Sequence, residues 1–300
     1  MLTYTEISRN KTQSVLLIFV FLIVIIGLGY AFSLAYNSPG ILFLAVAFSV
    51  ISALISYFYA DSITLAISRA KPVDRQSNQE LYRIVENLCI AAGLPTPRIY
   101  IIDDSAPNAF ATGRDPKHAV ICFTTGILAK LDKTELEGVT AHELSHVGNY
   151  DIRFMTLVVV LVGIITLLAD WFLRMSFFGG RRRSNDNEGG QIFVIVGLIL
   201  AILSPIIATL IKLAVSRRRE YLADASGALL TRYPEGLASA LIKISNDTEP
   251  LEEANKATAH LYIVNPLKAD GGNSRSWLAN LFNTHPPIAD RVKRLREMNV

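Results

Sequence analysis

Charge is what this sequence has least of. Asp, Glu, Lys and Arg make up 18% of its 300 residues, against about 25% in an average soluble chain. Hydrophobic residues reach 51% and the mean hydropathy is +0.35. That balance excludes intrinsic disorder, which needs low hydrophobicity and high net charge. Cysteine is nearly missing too. Cys89 and Cys122 stand alone, too few for a disulfide framework and compatible with a reducing compartment. A net charge of +3, dispersed along the chain, gives no footprint for a nucleic-acid partner. The surplus apolar residues point to a lipid bilayer.

Their placement supports this. Thr12 to Ala60 is a run of 49 residues without a charge, long enough for two helical crossings of about 20 residues each. Asn37-Ser38-Pro39-Gly40 divides it with turn formers. The expectation is a hairpin, Gln13–Tyr36 out and Ile41–Tyr59 back; a signal peptide would have a far shorter apolar core and no second span behind it. Arg9 and Lys11 precede the hairpin, and Arg69, Lys71 and Arg75 follow it, which puts both ends on the cytoplasmic side. A second apolar pair comprises Phe154–Ala169, soon interrupted by Asp170 and Arg174, and Gln191–Ile211. The loop between them carries Arg181-Arg182-Arg183, so length favours crossing while charge favours packing at the membrane surface.

The rest has globular character. Leu81, Ile84, Val85, Leu88 and Cys89 form a helical stripe that Gly93 should end, and Arg98–Ile102 and Ala119–Phe123 read as strands. Ile288–Met298 reads as a further helix. The fold class is α+β, in four segments: residues 1–60 a transmembrane hairpin, 61–153 and 216–300 two parts of one domain, and 154–215 an inserted hydrophobic hairpin.

The chemistry lies in His142-Glu143-Leu144-Ser145-His146. Thr134 and Glu137 are expected to cap the helix that carries it. Positions i and i+4 share a helix face, so His142 and His146 can hold one tetrahedral Zn²⁺. Glu143 is placed to take a proton from a zinc-bound water. By the chain's own His and Glu frequencies such a pattern arises by chance about 0.004 times, which makes it specific. A third ligand is required. Glu220 is the best candidate, with Asp224 four residues on able to orient an imidazole. An even number of crossings between His142 and Glu220 returns both to one side of the membrane.

These residues carry a resemblance. Asn108-Ala109-Phe110-Ala111-Thr112-Gly113, Ala141 to Asp151, Glu220 with Asp224, and Thr284-His285-Pro286 resemble the HtpX family of membrane-anchored zinc metalloproteases, in the same broad group as the CAAX prenyl proteases. The resemblance covers nearly the whole chain. It implies a zincin-like domain with one zinc per chain held by His142, His146 and Glu220, Glu143 as catalytic base, and Asp224 behind a ligand. It further implies that Asn108 and Ala109 lie on an edge strand that pairs with substrate, and that His285 approaches the oxyanion. The implied activity is an endopeptidase of the cell membrane, multi-pass, with its catalytic domain cytoplasmic. Its implied substrates are misfolded membrane proteins or unfolded polypeptides. The alternative is an inactive zinc-binding scaffold in protein quality control; a transporter would need more than four apolar segments and charge within the first two. His118 and His260 match no part of the pattern.

Overall fold

The uncharged run folds into a helical hairpin, α1 (Leu2–Ala35) and α2 (Pro39–Ile67). The computed structural model describes residues 2–35, 37–179, 216–247, 249–251, 258–264 and 286–298. Asn37 adopts a left-handed φ of 46° and Pro39 opens α2, the roles that make this pair a turn signal. Both helices outrun the expected spans. The polar residues before Thr12 continue α1, and α2 extends to Ile67, because nothing breaks the backbone ladder where apolar character ends. Leu16, Phe19, Phe43, Leu44 and Phe58 are exposed on these helices, an apolar surface of the kind that faces lipid.

The globular part begins with β1 (Lys71–Pro72) and α3 (Gln79–Ala92). All five residues of the expected stripe on α3 are buried. Gly93, at φ +65°, ends the helix in a conformation that costs glycine least. Then come β2 (Arg98–Ile102), β3 (Ala109–Gly113) and β4 (Ala119–Thr124), in the sheet order β1-β2-β4-β3. β2 runs parallel to β4, and β3 lies antiparallel on its other side, from Ala109↔Phe123 to Gly113↔Ala119. Alternation along β3 and β4 sorts the side chains into two cores. Ala109, Ala111, Ile121 and Phe123 face the main globular core, and Phe110, Val120 and Cys122 face the membrane-side one.

After α4 (Thr125–Lys130), α5 (Lys133–Gly148) carries the histidine motif. Its cap corrects the expectation. The capping box is Asp132 with Glu135, two residues before the expected Thr134 and Glu137. Both pairs have the right spacing, but the Glu135 carboxylate also accepts from Ser239 Oγ at 2.6 Å and Lys243 Nζ at 2.7 Å. That tie to a neighbouring helix selects the earlier start.

α6 (Asp151–Gly179) runs unbroken through Asp170 and Arg174. In its apolar window 67% of residues are buried within the protein, against 22% for the windows in α1 and α2. Leu17, Phe21 and Ile25 of α1 pack on Phe154, Leu157, Val158, Leu161, Val162 and Ile165, while Met155 and Val159 meet the sheet side. Among the described residues, three helices are long and apolar enough to cross a membrane. Gln191–Ile211 and the preceding loop lie outside the described residues. The chain continues in α7 (Arg217–Thr231), α8 (Pro234–Asn246) and α9 (Ile288–Arg296).

Candidate metal centre and active site

α5 is buried on every side: Leu136, Val139, Ala141, Leu144 and Val147 in the core, with His142, Glu143 and His146 also enclosed. The enclosure comes from α7, which approaches α5 closely at Gly227. A Cβ there would lie 2.9 Å from the backbone nitrogen of His142, so this contact requires glycine. Gly227→Ala is expected to push the helices apart, costing about 1–3 kcal/mol of stability as overpacking does. It should also weaken metal binding at the site described below, read by denaturant unfolding and metal titration of the same preparation.

This approach brings Glu220 onto the histidines. His142 Nε2 lies 3.2 Å from His146 Nε2. The Glu220 carboxylate oxygens lie 3.8 Å from His142 Nε2 and 3.6 Å from His146 Nε2. Donors at about 2.0–2.1 Å from a tetrahedral ion would be roughly 3.3 Å apart, so the three fit one cation. Charge agrees with geometry. Four enclosed carboxylates (Glu143, Asp151, Glu220 and Asp224) face two guanidinium groups, Arg219 and Arg291. Among the described residues, negative charge is thus in excess around the three donors, which a bound cation would offset, since unbalanced buried charge is costly.

Each imidazole is held from behind. His142 Nδ1 meets Asp224 Oδ1 at 2.9 Å, and His146 Nδ1 meets Asp151 Oδ2 at 2.9 Å. With Nδ1 donating to a carboxylate, Nε2 keeps its lone pair for a metal. Burial lowers the His142 pKa. For His146 burial pulls the same way, but the Asp151 hydrogen bond and the Glu220 charge outweigh it and raise the value to about 9. Burial pushes the Glu143 carboxyl up to about 7; nearby His146 opposes the rise and Glu220 adds to it.

Arg291 and Asp151 are two residues that sequence reasoning gave no role. Arg291 is fully buried and grips Asp224 with Nε at 2.8 Å and an Nη at 2.6 Å, while another Nη donates to the Ile263 carbonyl at 3.0 Å. A signal was present: Ile288, Arg291, Val292 and Leu295 share the inward face of α9, so a charge interrupts an apolar stripe. Asp151 lies five residues past His146 and opens α6, where a helix N-terminus also favours a negative charge.

The other expected residues are distributed as follows. Asn108 precedes edge strand β3, its amide donating to the Val264 carbonyl at 2.9 Å. The outward carbonyl of Ala109 accepts from Ile263 N at 3.0 Å. His285 lies outside the described residues. His118 is exposed and paired with Asp115 at 2.8 Å, away from the cluster. Cys89 and Cys122 are buried; burial raises the Cys89 pKa to about 11 and that of Cys122 well above the ordinary value, which makes both poor nucleophiles.

Three apolar helices of membrane-crossing length among the described residues, joined to a domain with a buried His–His–Glu cluster and a further carboxylate beside it, define a membrane metalloprotease. Residues 75–299 match Peptidase family M48, and the chain belongs to that family. Its relatives place it with the HtpX type. "Protease HtpX homolog" of Dictyoglomus thermophilum is 49% identical over 297 residues, 98% of this chain and 94% of that protein. The protein of the same name from Tropheryma whipplei (strain Twist) is 45% identical over 295 residues, 98% of each chain. Among solved structures, S. mikatae Ste24p shares the fold with a TM-score of 0.51 at 20% identity, over 92% of this chain and 61% of that one.

Proposed function

We propose that this membrane metalloprotease is a zinc endopeptidase that cuts misfolded or damaged membrane proteins at the cytoplasmic face, with Glu143 as its base. One observation carries the reading: two imidazoles converge with Glu220, and the buried Glu143 follows the first of them on a helix separated from α6 by two residues. That short link sets the site at the membrane boundary, within reach of loops that leave the bilayer.

Bound zinc, held by His142, His146 and Glu220, would supply Lewis acidity toward a peptide carbonyl and toward water. The chain's own residues do the rest. Glu143 removes a proton from the attacking water and delivers it to the leaving amine. In the metal-free protein burial pushes this carboxyl up to about 7, and a general base works best when its pKa lies near the working pH. Asp224 and Asp151 keep the two imidazoles in the ligating tautomer. An extended polypeptide adds along the outer side of β3. To bond the Ala109 carbonyl it must displace the Ile263 amide. His285 precedes α9 by three residues, and Arg291 anchors that helix at Asp224; this supports the assignment of His285 to the oxyanion. The cytoplasmic orientation rests on Arg9, Lys11, Arg69, Lys71 and Arg75.

The test is a destabilised membrane protein with cleavable loops on both sides of the bilayer, co-reconstituted with the enzyme. Cuts confined to cytoplasmic loops, abolished by a chelator and restored by zinc, are expected. Cuts only in the opposite loops, or cleavage indifferent to chelation, would contradict the proposal.

A further inference from the structure

Asn10 belongs to the membrane helix α1, yet its side chain is one of the best-buried polar groups in the protein, at 1% exposure. It heads the inward stripe that continues through Ser14, Leu17, Phe21 and Ile25. An amide in that stripe loses its hydration and needs partners. Its partners lie on both chain segments that bring ligands to the metal centre. Nδ2 donates to Asp151 Oδ1 at 2.5 Å and to the Asn149 carbonyl at 2.9 Å, at the end of the histidine helix. Oδ1 accepts from an Nη of Arg219 at 3.2 Å. Arg219 stands next to Glu220 in the chain, and its Nε reaches Asp151 Oδ1 at 2.7 Å. The other oxygen of Asp151 holds His146 Nδ1.

Asn10 thus closes a ring with Asp151 and Arg219. An amide suits this place, since it donates twice, to the carboxylate and to the Asn149 carbonyl, and accepts once from the guanidinium. Aspartate would repel Asp151, and lysine would repel Arg219. One turn earlier, Glu6 pairs with Arg218 at 3.2 Å, on the solvent side where such pairs contribute little.

We propose that Asn10 is a positioning residue of the metal centre, so that α1 is a working part of the zinc site as well as an anchor. It acts through Asp151, fixing the carboxylate that orients His146, and through Arg219, fixing the segment that carries Glu220. The inference rests on His142, His146 and Glu220 being the zinc ligands.

The test uses full-length protein in detergent and reads zinc affinity by competition with a chromogenic chelator, beside the thermal midpoint of the metal-free form. Asn10→Ala should weaken zinc binding about tenfold, the lower end of what loss of a ligand's supporting partner costs. Asn10→Asp keeps the side-chain volume and should weaken binding at least as much, which keeps the test sound if the alanine variant folds poorly. Asp151→Asn should weaken it further, and adding Asn10→Ala to Asp151→Asn should cost little more. A merely structural role would lower the metal-free midpoint but would not produce that non-additivity. Wild-type zinc affinity in both Asn10 variants, or full additivity with Asp151→Asn, would overturn this inference alone. A wild-type protein that takes up no zinc would overturn the metal reading and this inference with it.

Discussion

Glu143→Gln is expected to leave the protein folded and able to take up zinc, while kcat/KM for a polypeptide substrate falls by about 10²–10⁴-fold, the contribution of a positioned general base. Glutamine nearly matches glutamate in shape but cannot take a proton at neutral pH. The substitution also spares the three converging donor atoms, which belong to His142, His146 and Glu220. It should not destabilise the metal-free protein, because burial already pushes this carboxyl up to about 7. The check pairs metal analysis with cleavage kinetics on one preparation. Full zinc content with parental cleavage would remove Glu143 from the proposed mechanism.

The second large effect is on stability. Arg291→Met should cost about 3–5 kcal/mol, as happens when one member of a buried ion pair is removed and the other stays enclosed. Asp224 would keep its contact to His142 but lose both bonds from the guanidinium, and the Ile263 carbonyl would lose its donor. Arg291→Lys should recover little, since a single ammonium cannot reproduce that fork. The pH dependence has a definite sign. In the parent, burial alone would raise the Asp224 pKa, but Arg291 and His142 hold it below the ordinary value. Its contribution is therefore complete above the ordinary carboxylate range, near pH 4, and is lost only as the pH falls through the depressed value. Without Arg291, burial dominates and the folded-state value rises above the unfolded one. The variant's deficit should then be largest near neutrality and shrink on acidification. Denaturant unfolding of metal-free protein between pH 5 and about 8 checks this, and a deficit independent of pH would count against the pairing.

What the sequence makes legible is what local periodicity encodes. His142 and His146 share a helix face whatever surrounds them, and Glu220 and Asp224 repeat the same spacing on α7. The stripe on α3 and the strands at Arg98–Ile102 and Ala119–Thr124 follow from short-range pattern as well. The start of α5 shows where pattern alone fails. Two capping boxes fit, and Ser239 and Lys243, more than a hundred residues away, decide between them. Arg219, Arg291 and Asn10 went unread for a related reason, because their partners lie on distant segments, and Asp151 because its tie to His146, only five residues back, spans the turn between two helices. Even so, Asn10 and Arg291 share a visible mark, a polar or charged residue at a position where the helical stripe calls for an apolar one.

The most direct measurement is anomalous diffraction at the zinc edge from crystals of the zinc-loaded full-length protein. A single peak per chain, bounded by His142 Nε2, His146 Nε2 and the Glu220 carboxylate, is the expected result. A peak elsewhere, or a peak at the histidines with Glu220 turned away and another group completing the site, would contradict the account.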